Sequence, residues 1–87
     1  AKLGAYFVKK LKTLGDPRIR EVRGKGLLIA LEFKDPGAKS FCERLSQNGL
    51  LAKDTHRTTV RFAPPLVITQ AQLDAAFQIV KKTLAAS

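Results

Sequence analysis

The run Leu27-Leu28-Ile29-Ala30-Leu31-Glu32-Phe33 constrains this chain more than any other feature. Its first five residues are apolar at successive rather than alternate positions, which predicts a strand covered on both faces and central in a sheet. Turn-forming tripeptides bracket it, Gly24-Lys25-Gly26 before and Asp35-Pro36-Gly37 after. The first permits positive φ and, with the short basic segment Ile19–Arg23 ahead of it, predicts an antiparallel hairpin. In the second, proline presets φ and glycine takes a conformation that other residues avoid.

Three helices are expected around this hairpin. Leu3, Phe7, Leu11 and Leu14 recur at spacings of 4, 4 and 3, which puts them on one face of a helix over residues 1–14. Gly15-Asp16-Pro17 stops it. Residues 38–47 suit a short helix with Phe41 and Leu45 inward and Asn48-Gly49 as its stop. Thr69 and Gln72 have capping-box spacing and open a third, with Leu73, Phe77, Val80 and Leu84 on one face. Between the last two helices, Leu50–Ala52 reads as a brief strand and residues 53–58 as a polar loop. Thr59–Phe62 resumes β character, with Val60 and Phe62 on one face and Arg61 on the other, and Pro64-Pro65 ends it. The order α-β-β-α-β-β-α predicts an α+β fold, a small, mainly antiparallel sheet with helices packed on one side.

With 87 residues the chain fits a single domain, 1–87. Its longest apolar run is far short of a membrane span. One Cys and one His leave no internal disulfide and no metal-site spacing. Sixteen Lys and Arg against seven Asp and Glu give a net charge of +9, but the basic residues are scattered and no zinc-finger or RNA-recognition signature accompanies them. A solvated surface, or one facing an acidic partner, is expected rather than a nucleic-acid interface. An independent basic binding module is the rival reading, and it predicts salt-sensitive association. No Met occurs in the chain, so a piece of a longer protein is expected.

No self-contained active site emerges. Gly24-Lys25-Gly26 is too short for a dinucleotide fingerprint. Cys42 lies beside Phe41 in a helical segment, where a buried thiol is commoner than a nucleophile paired with His56. The seven carboxylates never cluster in a catalytic spacing. Arg61 stands out because it interrupts the apolar stretch Val60 to Ile68. Its guanidinium is always charged and grips carboxylates with a planar fork. On an exposed edge it is a surface residue; on a covered face it must meet a carboxylate, since an unpaired buried charge costs several kcal/mol.

The strings Asn48-Gly49-Leu50-Leu51-Ala52-Lys53, Thr55-His56 and Arg61-Phe62-Ala63-Pro64-Pro65-Leu66 resemble the C-terminal end of the ornithine aminotransferases. These are a branch of the class III, fold type I, pyridoxal-phosphate-dependent aminotransferases. The similarity extends upstream through Val22-Arg23-Gly24-Lys25-Gly26-Leu27-Leu28 and downstream to Lys82-Thr83-Leu84, most of the chain. It implies a C-terminal small domain whose partner is the large, pyridoxal-phosphate-binding domain of the same chain. That large domain carries the lysine to which the cofactor attaches, and no lysine here sits in a matching context. The parent is then an ω-aminotransferase acting on ornithine and 2-oxoglutarate, a homodimer or higher oligomer, cytoplasmic or in the mitochondrial matrix of a eukaryote, and this segment is inert alone. By the resemblance Arg61 binds the α-carboxylate of glutamate or 2-oxoglutarate and is masked by a large-domain glutamate in the ornithine half-reaction. Acetylornithine and other ω-amino donors fit the same strings. The chain departs from the family at Arg57, where glycine is more usual, and in a shorter turn around Asp35-Pro36-Gly37.

Overall fold

The computed structural model describes residues 2–25, 28–63 and 68–86. They form helices α1 (Lys2–Lys12), α2 (Ala38–Gln47) and α3 (Gln70–Ala85), and strands β1 (Ile19–Lys25), β2 (Leu28–Phe33), β3 (Lys53–Thr55) and β4 (Thr59–Phe62). The strands make an antiparallel sheet in the order β1-β2-β4-β3, so β2 is internal as its sequence predicts. All three helices lie on one side of this sheet, the α+β arrangement expected.

One core fills the space between the two layers. Val22, Ile29, Leu31, Phe33, Val60 and Phe62 project from the sheet and meet Phe7 and Leu11 of α1, Phe41 and Leu45 of α2, and Leu73, Phe77, Val80 and Leu84 of α3. The helical faces read from spacing are the faces buried. Phe7 packs edge-on against Phe62 at 5.8 Å between centroids, and Phe33 against Phe41 at 5.1 Å, a favoured arrangement of ring quadrupoles. The capping box on α3 is formed, with the Gln72 amide N–H donating to Thr69 Oγ1 at 3.2 Å and the Thr69 N–H to Gln72 Oε1 at 2.9 Å.

Several expectations need correction. β2 is covered on one face only: Ile29, Leu31 and Phe33 are buried, whereas Leu28 is 58% exposed. The strand after α2 is Lys53–Thr55 rather than residues 50–52. α1 ends at Lys12 because the chain tightens there, Thr13 and Leu14 donating to carbonyls three residues back. β1 runs on through Gly24 and Lys25, and Lys25 pairs with Leu28. Gly24 is therefore not the turn. A Cβ there would stand 2.6 Å from Val8 Cγ2, so glycine lets α1 lie close on β1. Pro64-Pro65 lies outside the described residues.

The β3–β4 connection is a tight turn in which His56 (φ 54°) and Arg57 (φ 67°) both occupy the left-handed region. Its backbone also serves α2. No side chain caps that helix, and the Arg57 carbonyl instead accepts the Gly37 and Ala38 N–H groups at 3.0 and 3.1 Å. At the other end of α2, Gly49 takes φ 92° and Asn48 Nδ2 donates to Thr83 Oγ1 at 2.9 Å, tying the helix to α3.

Candidate carboxylate-binding site

Arg61 lies on β4, an internal strand, with Ala30 of β2 directly opposite on one side and Lys53 of β3 on the other. Ala30 in turn faces Arg23 of β1. Directly paired residues in a sheet share a face, so Arg23, Ala30, Arg61 and Lys53 form a single row across all four strands. Val60 and Phe62, the neighbours of Arg61, point into the core, which sends Arg61 to the face the helices do not cover. The alternation along Val60–Phe62 thus decides the question left open by the sequence: Arg61 is exposed in this chain, on a face and not on an edge.

The row is electrically lopsided. Arg23 Nη1 lies 2.9 Å from Glu21 Oε2 and 2.7 Å from Glu32 Oε1, so one guanidinium meets two carboxylates at the β1 end. Those hydrogen bonds, Glu32 first and then Glu21, push the Arg23 guanidinium further up. At the β4–β3 end, among the described residues, no carboxylate lies within ion-pair distance of Arg61 or Lys53. The small Ala30 separates the two ends and leaves a cleft of about 640 Å³ whose lining includes Arg23, Lys25, Ala30, Lys53, Asp54 and Arg61. A planar fork and an ammonium facing a cleft of that size can hold a small carboxylate-bearing ligand.

Other sequence candidates are not assembled into a site. Cys42 is buried in α2, and its thiol is pushed up to about 11 by burial and then by the Asp54 carboxylate, the reverse of an activated thiolate. His56 is exposed on the hairpin turn. Among the described residues no group of three or more His, Cys, Asp or Glu is placed to hold a metal ion, and no helix is long and apolar enough to cross a membrane. Sequence reasoning missed Lys53, which it put in a loop. Lys53-Asp54-Thr55 is polar throughout, so no local alternation marks it as a strand, and its place follows only from the pairing with β4.

The chain matches the class-III aminotransferase family over residues 1–84. It is 49% identical over 84 residues to an ornithine aminotransferase of Exiguobacterium sp., covering 97% of this chain and 21% of that one. With an ornithine aminotransferase of Geobacillus sp. the identity is 52% over the same coverage. Among solved structures, an acetylornithine aminotransferase from Elizabethkingia anophelis superposes with a TM-score of 0.93 at 42% identity, over 99% of this chain and 23% of that one. An ornithine aminotransferase from Plasmodium yoelii does so with a TM-score of 0.91 at 43% identity, over 98% and 24%. The chain therefore spans about a fifth of the length of the curated relatives it matches. Its sequence and its fold agree, and the chain belongs to the class-III aminotransferase family.

Proposed function

We propose that the chain is the C-terminal small domain of a pyridoxal-phosphate-dependent ornithine aminotransferase, and that Arg61 binds the α-carboxylate of its 2-oxoglutarate or glutamate substrate. The reaction moves the δ-amino group of ornithine to 2-oxoglutarate, giving glutamate semialdehyde and glutamate. One observation carries the reading: Arg61 is held on an internal strand and opens onto a cleft, with no carboxylate of the described residues against it. The names of the relatives near 50% identity support ornithine as the donor. The acetylornithine enzyme among the structural neighbours keeps that amino donor as the alternative.

The residues described do not offer a seat for pyridoxal phosphate. The cofactor supplies an electron sink to the reacting amine, and it needs a lysine to attach to and a cradle for its phosphate. The described lysines are exposed, except half-buried Lys10, whose ammonium stands 5.0 Å over the Phe77 ring. In this reading the large domain of the parent chain holds the cofactor, and the 87-residue segment alone is inert. The same large domain covers the cleft and supplies the glutamate that masks Arg61 while ornithine reacts. The parent is a homodimer or higher oligomer in the cytoplasm, or in the mitochondrial matrix of a eukaryote.

The test is Arg61→Lys in the full-length enzyme, with the two half-reactions measured separately. Lysine keeps the charge and loses the fork, so the 2-oxoglutarate half-reaction should lose about 1.5–3 kcal/mol, or roughly 10- to 150-fold in kcat/KM. The ornithine half-reaction should lose less. Equal losses in the two would refute the assigned role.

A further inference from the structure

We propose that Lys53 is a specificity-determining residue of this cleft, an ammonium whose field favours a dianionic dicarboxylate acceptor and disfavours a cationic diamino donor. The inference rests on the reading of Arg61 given above. Lys53 pairs directly with Arg61, so the two Cβ atoms are about 5 Å apart on one face. Both line the same cleft, and among the described residues neither has a carboxylate within ion-pair distance. Arg23, the other cation of the row, is already held by Glu21 and Glu32. The cations lining the cleft without an ion pair among the described residues are therefore Arg61, its direct neighbour Lys53 and, at the β1 end, Lys25, with Asp54 the one carboxylate among the described lining residues.

The two cations act differently. The guanidinium fork reads the shape of one carboxylate, whereas an ammonium is a point charge with rotatable donors. A point charge responds to the whole charge of the ligand. A dicarboxylic 2-oxo acid carries two negative charges and a monocarboxylic one carries a single charge. A diamino acid with one carboxylate carries a net positive charge. Lys53 thus acts on the three in a graded way, with the sign reversed for the donor. Its exposure on an edge strand keeps each effect modest.

The experiment uses the full-length enzyme with Lys53→Gln, Lys53→Arg and Lys53→Glu, and reads KM for 2-oxoglutarate, pyruvate and ornithine. For Lys53→Gln the expected change is about a fourfold rise for 2-oxoglutarate, a twofold rise for pyruvate and a twofold fall for ornithine. Lys53→Glu should enlarge each change in the same direction, and Lys53→Arg should restore the wild-type order. High salt should shrink all the differences. Equal shifts for the two acceptors, or donor and acceptor moving together, would overturn the proposal, since damage to packing moves all three alike. Arg61→Lys run beside these variants separates the two ideas. If its half-reactions lose equally, the Arg61 reading fails. If it behaves as stated while the Lys53 variants ignore ligand charge, the Lys53 proposal alone fails.

Discussion

Replacing Arg57 by glycine should stabilise this fold. Arg57 sits at φ 67° and its neighbour His56 at φ 54°, both in the left-handed region without being glycine. That conformation crowds Cβ against the next carbonyl oxygen at about 1–2 kcal/mol per residue. Glycine removes the crowding but gives the unfolded chain more freedom, worth about 0.4–1 kcal/mol in the other direction. The balance is a gain of about 0.5–1 kcal/mol, or several degrees in Tm for a domain of this size. Nothing else should be lost: the Arg57 side chain is exposed, and the hydrogen bonds from Gly37 and Ala38 end on its backbone carbonyl. Urea unfolding of the 87-residue chain measures the effect, with Arg57→Ala as the control that removes the guanidinium and keeps Cβ. The alanine variant should stay within about 0.5 kcal/mol of the parent, as surface substitutions do. If glycine gained no more than alanine, the strain argument would be wrong.

Two further outcomes follow from the core. Gly24→Ala should cost about 1–3 kcal/mol, because the new methyl meets Val8 Cγ2 at 2.6 Å, and Val8→Ala in the same chain should recover part of that loss; additive losses in the double variant would contradict the contact. Cys42 should resist alkylation at pH 8 in the native chain and react once it is unfolded, since burial pushes its thiol up from 9.0 to about 11. The sign of the linked stability is fixed by the same shift: the unfolded thiol ionises first, so stability should fall as pH rises from about 9 to about 11, and Cys42→Ala should remove that component of the slope.

How much of this was legible beforehand depended on whether the information was local. The helices were, because Phe7 and Leu11, Phe41 and Leu45, and Leu73 to Leu84 repeat at the helical period and are the residues buried. β3 was misplaced because Leu50-Leu51-Ala52 is more apolar than Lys53-Asp54-Thr55. An edge strand of three residues is held by backbone pairing to β4, so hydrophobicity says little about it, and Leu51 is in fact 82% exposed. Arg61 was visible as a charge inside an apolar stretch. Its companions were not, because Arg23 and Lys53 reach its row only through the sheet order β1-β2-β4-β3, which inserts β4 between β2 and β3. No local signal encodes that insertion. Gly24 shows the converse case, a glycine whose presence was plain and whose reason, the approach of α1, lay outside its own neighbourhood.

The hydrogen bonds between the hairpin turn and α2 couple local opening of the two. The Gly37 and Ala38 N–H groups find their acceptor at Arg57, twenty and nineteen residues later in the chain. The Phe41 N–H closes the first turn of α2 on the Gly37 carbonyl at 3.0 Å, so the hairpin supplies the acceptor for the N–H groups that the helix itself leaves free. The hairpin that carries this carbonyl also pairs Lys53 with Arg61. Helix start and charged row thus share one support, and an excursion that opens the turn frays the helix and scatters the row together.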